Sequence, residues 1–190
     1  MKYRLFAFSS GDGELLVRGS IERVDDHAVA IEQLQCELKE GGWISSEADL
    51  TAVGFKTIMA EGMTGCIELT EEVVESMEMC NYVAPAHNPP YIMGIRLFAE
   101  KMPEIPLVGL FETAFYQWVP ESFSRYAVPK SWYAAGVRRW GFHGASHKFI
   151  AERSAEILGR EDVASRARNL YIDDARSKVD GSTLKVISCH

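Results

Sequence analysis

Short strand-like runs alternate with helix-like segments along this chain, and this alternation most constrains how it can fold. Residues 105–111 form a mostly apolar run marked by prolines, which is typical of a buried strand. Residues 52–59 form a similar, β-branched run. Apolar residues recur at helical spacing in 28–38, before the first of these runs, and in 91–102, between the two. The sequence therefore predicts an α/β fold with a mixed sheet flanked by helices.

Local patterns place the remaining elements. Residues 2–20 alternate large apolar with polar side chains around a Ser-Gly-Asp-Gly turn, which predicts a β-hairpin. Asp25 and Asp26 are suited to cap the helix that follows, and the prolines within 85–90 predict a break in regular structure. Helices are further predicted over 70–80, 146–158 and 162–170, strands over 137–142 and 184–189, and the polar stretch 161–182 as an insertion or loop.

Composition excludes several classes of protein. The chain has 190 residues, 47% of them hydrophobic and 25% charged, which suits one domain or one large lobe. A net charge of -7 argues against a nucleic-acid or anionic-membrane partner. No apolar stretch approaches the roughly 20 residues that span a bilayer, and no signal peptide is evident, so we expect a cytoplasmic protein. The cysteines lack a CxxC pair, which predicts reduced thiols and no zinc site.

The segment 140–147, WGFHGASH, is the densest group of chemically useful residues. A strand running into a glycine-flanked turn and then a helix would bring backbone N–H groups and His143 to one point, where anions bind. A structural interpretation is equally good, in which the glycines make the turn and the serine caps the helix. His143 and His147 stand four residues apart, which allows a metal site, but no third ligand is indicated.

Three further residues are candidates for a site. Glu112 ends the apolar run 105–111, where it is interpretable as a base, a metal-shell ligand, an anchor or a solvated glutamate. Lys56 is a cation within an apolar strand and should have an anionic partner. His87, like His143 and His147, is predicted to lie in a Gly- or Pro-marked loop rather than on a helix face, where both binding and structural roles are open.

Three segments, taken in order, resemble sequence blocks of the acetate kinase family. Residues 84–89 (APAHNP), 110–115 (LFETAF) and 138–147 (RRWGFHGASH) are similar to the family's APLHNP, FDTAFH and RRYGFHGTSH. The opening MKYRL resembles the LKYQL that follows the family's first phosphate loop, and residues 185–190 resemble the strand before its second. The resemblance identifies residues 1–190 as the N-terminal lobe of a divergent acetate/propionate kinase.

This resemblance implies both fold and function. The fold would be a ribonuclease H-like lobe of the acetate and sugar kinase/actin superfold. The reaction would be reversible phosphoryl transfer from ATP to acetate or a similar short acid, giving acyl phosphate and ADP, with Mg²⁺ as the metal cofactor. The full-length protein would be a homodimer that binds a small carboxylate and a nucleotide.

The resemblance also assigns roles to individual positions. The catalytic positions are those of a phosphoryl-stabilising histidine and an active-site aspartate, and the others hold the substrate or ATP. No metal ligand is implied within this chain. The matching residues are His143 and Glu112 for catalysis; Lys56, His87, Ile58, Ala86 and Phe142 for the substrate; and Lys2 for ATP.

The departures from the family pattern predict a change in specificity. Lys56 stands where the family has an arginine that grips the substrate carboxylate, and lysine cannot provide a bidentate fork. Glu112 replaces an aspartate and Tyr116 a histidine. Ala86 replaces a leucine and would leave more room for the acyl tail. We therefore expect an acid larger than acetate to be accepted.

Two alternatives follow from the same residues. No NAGSSS phosphate loop precedes Lys2 and no second lobe follows His190, so we expect the 190-residue chain alone to bind nucleotide poorly and to turn over little. A non-catalytic binding or assembly lobe derived from the family is the first alternative. A sugar kinase on the same superfold is less favoured, because those enzymes lack the paired HNP and GFHGxSH motifs.

Overall fold

The chain folds as two compact units in a computed structural model that describes residues 1–9, 13–22, 24, 26–171 and 187–188. The first unit comprises the described residues of 1–53 and 91–107, and the second those of 54–90 and 108–190. The strands are β1 (Lys2–Phe8), β2 (Gly13–Ser20), β3 (Val53–Thr57), β4 (Cys66–Glu68) and β5 (Leu107–Phe111). The helices are α1 (His27–Glu40), α2 (Glu71–Glu78), α3 (Asn88–Lys101), α4 (Glu121–Ser124), α5 (Lys130–Ala134), α6 (Gly144–Ile157) and α7 (Glu161–Arg168).

The first unit contains the predicted hairpin and the helix after it. Strands β1 and β2 pair antiparallel, with a bulge between Leu5 and Phe6. Helix α1 begins where predicted because Asp26 caps it: its carboxylate accepts the backbone N–H groups of Ala28 and Val29 at 2.8 and 3.4 Å. The other predicted capping residue, Asp25, lies outside the described residues. The buried face of α1 carries Ala30, Ile31, Leu34 and Leu38.

Helix α3 begins three residues earlier than its apolar pattern indicates. The expectation that the prolines break regular structure up to residue 90 is wrong for Asn88, Pro89 and Pro90, which form the first turn of the helix. The backbone N–H groups of a first turn have no intrahelical acceptor, so a proline there removes no hydrogen bond. Prolines at this position start a helix rather than interrupt it.

The predicted mixed sheet has the strand order β3-β5-β4. Strands β3 and β5 run parallel, since Val53 N–H donates to Pro106 at one end (3.0 Å) and Glu112 N–H donates to Thr57 at the other (2.9 Å). Strand β4 pairs antiparallel to β5, with Cys66 opposite Leu110. The sequence did not indicate β4, because three residues are too few to show a strand periodicity. The central strand, β5, has alternate residues buried.

The prediction of a strand over residues 137–142 is wrong. That segment has no ladder partner among the residues that the structure describes, and Arg139 N–H donates instead to the carbonyl of Ser124 at 2.7 Å. Helix α6 begins two residues earlier than predicted, and α7 with a 3-10 turn at Asn169–Tyr171 matches the helix predicted over 162–170. The rest of the predicted loop, 172–182, and most of the predicted strand 184–189 lie outside the described residues. No helix in the described part of the chain is long and apolar enough to cross a membrane.

Candidate active site

An ion pair lies where strands β3 and β5 end. Parallel strands present their carboxyl ends at one edge of a sheet, where α/β proteins hold ligand-binding groups. There Lys56 Nζ lies 3.0 Å from Glu112 Oε1. The lysine side chain is 58% exposed and the glutamate side chain 5%. The expected anionic partner of Lys56 is thus confirmed, and the interpretation of Glu112 as a solvated glutamate is wrong.

The second carboxylate oxygen of Glu112, Oε2, is a buried hydrogen-bond acceptor. Oε2 is buried and has no hydrogen-bond partner among the described residues, and the same holds for the hydroxyl of the neighbouring Thr57. An unpaired buried acceptor lowers the free energy of unfolding by roughly 1–3 kcal/mol, so folded proteins contain few of them. Chemically, Oε2 offers a single acceptor for a proton donor or a cation at the end of β5.

A close backbone contact brings the histidine loop to this strand end. Gly144 N–H donates to the carbonyl of Glu112 at 2.9 Å. A Cβ on Gly144 would lie 2.5 Å from that carbonyl oxygen, so only glycine allows the approach. The preceding residue, His143, is the N-cap of α6 and has a left-handed backbone with φ of 58°. Such strained conformations cluster at functional sites, and this one sets His143 in sequence directly beside the residue that touches Glu112.

Tyr116 holds the other side of the same loop. Its hydroxyl donates to the carbonyl of Phe142 at 2.8 Å, and its ring lies so close to Gly141 that a Cβ there would be 2.5 Å away. Burial, followed by the nearby charge of Glu112, raises the pKa of the Tyr116 phenol and keeps the donor protonated. The sequence indicated Tyr116 only as a replacement for a histidine, and its clamping role was missed.

His147 has a packing role that the sequence left open. It lies on helix α6, not in a loop as predicted, and its ring stacks on Phe115 with centroids 6.3 Å apart. Its Nδ1 is 2.8 Å from the hydroxyl of Ser188. The described residues contain no group of three or more His, Cys, Asp and Glu arranged to hold a metal ion.

The predicted acyl-binding residues Ile58, Ala86 and Phe142 occur on separate segments of the second unit. Two of those segments are joined by Asn88, which is fully buried. Its amide donates to the carbonyls of Met59 (3.1 Å) and Met77 (2.9 Å). These bonds fix the turn that carries Ala86 and His87 relative to the residue that follows Ile58.

The remaining predicted site residues lie on different elements of the structure. His87 is exposed in the turn before α3, and Ile58 is half-buried after β3. Lys2 is exposed on β1, opposite Ser20, in the first unit. The structure thus brings Lys56, Glu112 and the loop of His143 together at one strand end. The sequence did not indicate that Asn88 links two segments, because an asparagine followed by two prolines is also an ordinary turn signal.

Solved structures define the class of fold. The chain is similar to the acetate kinase of Porphyromonas gingivalis (35% identity, TM-score 0.61, covering 78% of this chain and 37% of that one). It is also similar to a propionate kinase from Francisella tularensis (29% identity, TM-score 0.64, covering 76% and 37%). The acetate kinase of Entamoeba histolytica, 21% identical with a TM-score of 0.59, shares the fold. The fold is therefore the mixed α/β lobe of the acetate and sugar kinase/actin type.

The chain belongs to the acetokinase family, whose model matches residues 14–172. Among curated relatives, the acetate kinase of Halalkalibacterium halodurans is 36% identical over 181 residues, covering 90% of this chain and 46% of that protein. The acetate kinase of Bacillus cytotoxicus is 36% identical over 159 residues, covering 83% and 40%. The chain thus spans less than half the length of the relatives it matches.

Proposed function

We propose that this chain forms the carboxylate-binding lobe of an ATP-dependent short-chain carboxylate kinase. The observation that carries the proposal is the Lys56–Glu112 pair at the end of two parallel strands, against which Gly144 fixes the loop of His143. Phosphoryl transfer needs little covalent chemistry from the protein, because positioning and charge neutralisation supply most of the catalysis. A cation for the acid and a histidine for the moving phosphoryl group are suited to that task.

Each charged residue has a distinct proposed role. Lys56 binds the substrate carboxylate, and Glu112 fixes the lysine through Oε1. Because the pair is close to neutral, an incoming carboxylate meets less positive charge than a free arginine would present, and binding should be weak. His143 donates to the phosphoryl oxygens as charge develops on them. His87 contributes a further polar contact to the substrate.

The proposed acyl pocket is formed by Ile58, Ala86 and Phe142. Alanine at position 86 is shorter than the leucine of the family motif, so the pocket should accept propionate or butyrate more readily than acetate. The gain would be modest, since one buried methylene contributes about 0.8 kcal/mol. The preferred acid is therefore proposed to have three or four carbons.

One residue of this chain is suited to Mg²⁺ and another to ATP. Mg²⁺ commonly binds through one or two carboxylates together with substrate phosphates, and the unpaired Oε2 of Glu112 would supply one such ligand. When bound, the metal would neutralise charge on the transferring phosphoryl group. Lys2, exposed on β1, is the proposed nucleotide contact within this chain. We further propose that the whole protein is a cytoplasmic homodimer.

Carboxylate binding by the chain itself tests the proposal. Saturation-transfer NMR should detect acetate, propionate and butyrate, with the strongest transfer to butyrate and a loss of about tenfold in affinity in Lys56→Gln. The matched control is Lys130→Gln, at an exposed lysine on α5. Ala86→Leu should shift the preference back toward acetate. Equal binding by the wild type and Lys56→Gln would refute the role of Lys56, and no binding of any acid would favour the non-catalytic lobe.

A further inference from the structure

A cleft lies in the same unit as the Lys56–Glu112 pair, and the proposed kinase roles do not use it. Its volume is about 390 Å³, and it lies between the turn after β3, the 3-10 turn Ala114–Tyr116 after β5, and the segment that precedes His143. This volume falls at the lower end of the range for small-molecule sites. Among the described residues that line it, Arg138 and Arg139 are the cations and none is acidic. In a protein of net charge -7, such a cleft favours an anion.

The two arginines of this cleft differ from others in the chain. Arg125, Arg153 and Arg160 each pair with a carboxylate nearby in the sequence. Arg138 and Arg139 make no such ion pair within the described part of the chain. Arg138 Nε is moreover buried and has no hydrogen-bond partner in the described ranges. Guanidinium donors without an acceptor are costly to bury, which points to an acceptor supplied from outside.

Aromatic rings hold both guanidinium groups in place. Arg138 lies over the ring of Trp140, with 4.4 Å from its Cζ to the ring centroid, and Arg139 lies over Tyr126 at 5.3 Å. A cation–π contact restrains a guanidinium group and leaves N–H groups able to donate. The geometry therefore suits two parallel hydrogen bonds to the oxygens of a carboxylate or phosphate.

The rest of the lining supplies a hydroxyl pair and an apolar wall. Thr64 and Thr113 share a hydrogen bond of 2.7 Å between their hydroxyls, so one of the two hydroxyl protons remains to donate to a ligand. Met63, Val119 and Phe123 add apolar surface. The backbone of the arginine segment is fixed by the bond from Arg139 N–H to the carbonyl of Ser124. The cleft is thus preformed and combines an anion grip with room for an apolar body.

We propose that this cleft binds a small organic oxyanion, a carboxylate or phosphate monoester with an apolar or aromatic body, through Arg138 and Arg139. The oxyanion lies against the guanidinium edges and the threonine hydroxyls. The body of the ligand packs on Met63, Val119 and Phe123. Neither Lys56 nor Glu112 lines the cleft.

Isothermal titration of the purified chain with three probes of similar body tests this site. Phenyl phosphate and benzoate should bind, and neutral benzyl alcohol should not. The anion that binds with the higher affinity identifies the preferred oxyanion. Arg138→Gln and Arg139→Gln should each weaken binding about tenfold, as expected for one lost charge-assisted contact. The matched control is Arg153→Gln, on α6, which should leave the affinity unchanged.

Two further measurements make the outcome decisive. Thermal melting of each variant reports folding, and because Arg138 is partly buried, the exposed Arg139 provides a variant that retains the fold. Lys56→Gln should bind phenyl phosphate as the wild type does. Absence of binding by both anions, equal binding by a folded Arg139→Gln, or loss of phenyl phosphate binding in Lys56→Gln would each overturn the proposal.

Discussion

Lys56 reaches across from β3 to Glu112 at the end of β5, so that an exposed ammonium group neutralises a buried carboxylate at 3.0 Å. The pair is asymmetric, because the lysine keeps most of its hydration while the glutamate has lost nearly all of it. Such a carboxylate depends on its partner more than the lysine does. The pair is therefore both a candidate binding group and a local requirement for stability.

Lys56→Met should lower the free energy of unfolding by about 1–2 kcal/mol, because Glu112 would remain buried without a counter-charge. Urea denaturation followed by circular dichroism measures this change. The matched control is Lys39→Met, which breaks the more exposed pair with Glu47 and should cost much less. Adding Glu112→Gln to Lys56→Met should recover part of the loss, and full additivity of the two changes would contradict the coupling.

Gly144→Ala should destabilise the chain by about 1–3 kcal/mol, since the new Cβ would overlap the carbonyl of Glu112 and force α6 away from β5. The same substitution at Gly94, on α3, is the control. A Cβ at Gly94 meets nothing within 4 Å, so Gly94→Ala should stabilise by about 0.5–1 kcal/mol through its helix propensity. Thermal melting of both variants should give shifts of opposite sign, and two shifts of the same sign would show that the close approach is not needed.

Tyr171→Phe and Tyr116→Phe each remove a phenolic oxygen, and we expect them to change the free energy of unfolding differently. The Tyr171 hydroxyl is buried without a partner among the described residues, and burial is the main cause that raises its pKa to about 12. Its removal should be neutral or stabilising, whereas Tyr116→Phe should cost about 0.5–1.5 kcal/mol through the lost bond to Phe142. Denaturant midpoints provide the comparison. A larger loss in Tyr171→Phe than in Tyr116→Phe would be inconsistent with these environments.

The sequence predicted what depends on local chemistry and missed what depends on tertiary contacts. The cap by Asp26 and the central strand β5 follow from side chains a few residues apart, so they were predicted correctly. The strand predicted over 137–142 is not formed, because no described strand pairs with it and Arg139 N–H donates instead to the carbonyl of Ser124. Lys56 and Glu112 were recognised separately as candidates. Only the parallel pairing of β3 and β5 places them in contact, and no sequence spacing reveals that.

The bond from the Tyr3 hydroxyl to Glu37, 2.5 Å long, should make stability fall at both extremes of pH. This bond, then burial and the charge of Glu37, raises the pKa of Tyr3 to about 12, and a pKa raised on folding gives stability that is lost as pH rises from 10 to 12. The bonds from Tyr3 and then Gln33 lower the pKa of Glu37, so its contribution is lost as pH falls below 4.5.

Comparison of wild type with Tyr3→Phe isolates this contribution from other titrating groups. The difference in melting temperature between the two proteins should be largest on the plateau between about pH 5 and 9, and it should shrink toward pH 4 and toward pH 12. Asp162, which pairs with Arg160 in the other unit and has no tyrosine among the causes that lower its pKa, provides a control through Asp162→Asn. The difference in melting temperature between the wild type and that control should not change on the alkaline side. A Tyr3→Phe difference that does not vary with pH would contradict the coupling.

Asn88→Asp should be among the most disruptive single-atom exchanges in the chain. The side-chain nitrogen of Asn88 donates to the carbonyls of Met59 and Met77, and the residue is fully buried. Replacing that nitrogen with oxygen keeps the shape but sets a carboxylate against two carbonyl acceptors. The expected loss is about 3–5 kcal/mol near neutral pH, because a buried charge would have no partner.

A pH series separates this effect from a simple loss of packing. Protonation of the introduced carboxyl group restores one donor, so the Asn88→Asp variant should regain stability as pH falls, whereas Asn88→Ala should not. The exposed Asn169→Asp serves as the surface control and should change stability little at any pH. Because Asn88 links the turn of Ala86 to the residue after Ile58, Asn88→Ala should also weaken butyrate more than acetate in the NMR assay. Equal weakening of both acids would show that Asn88 supports the fold without shaping the acyl pocket.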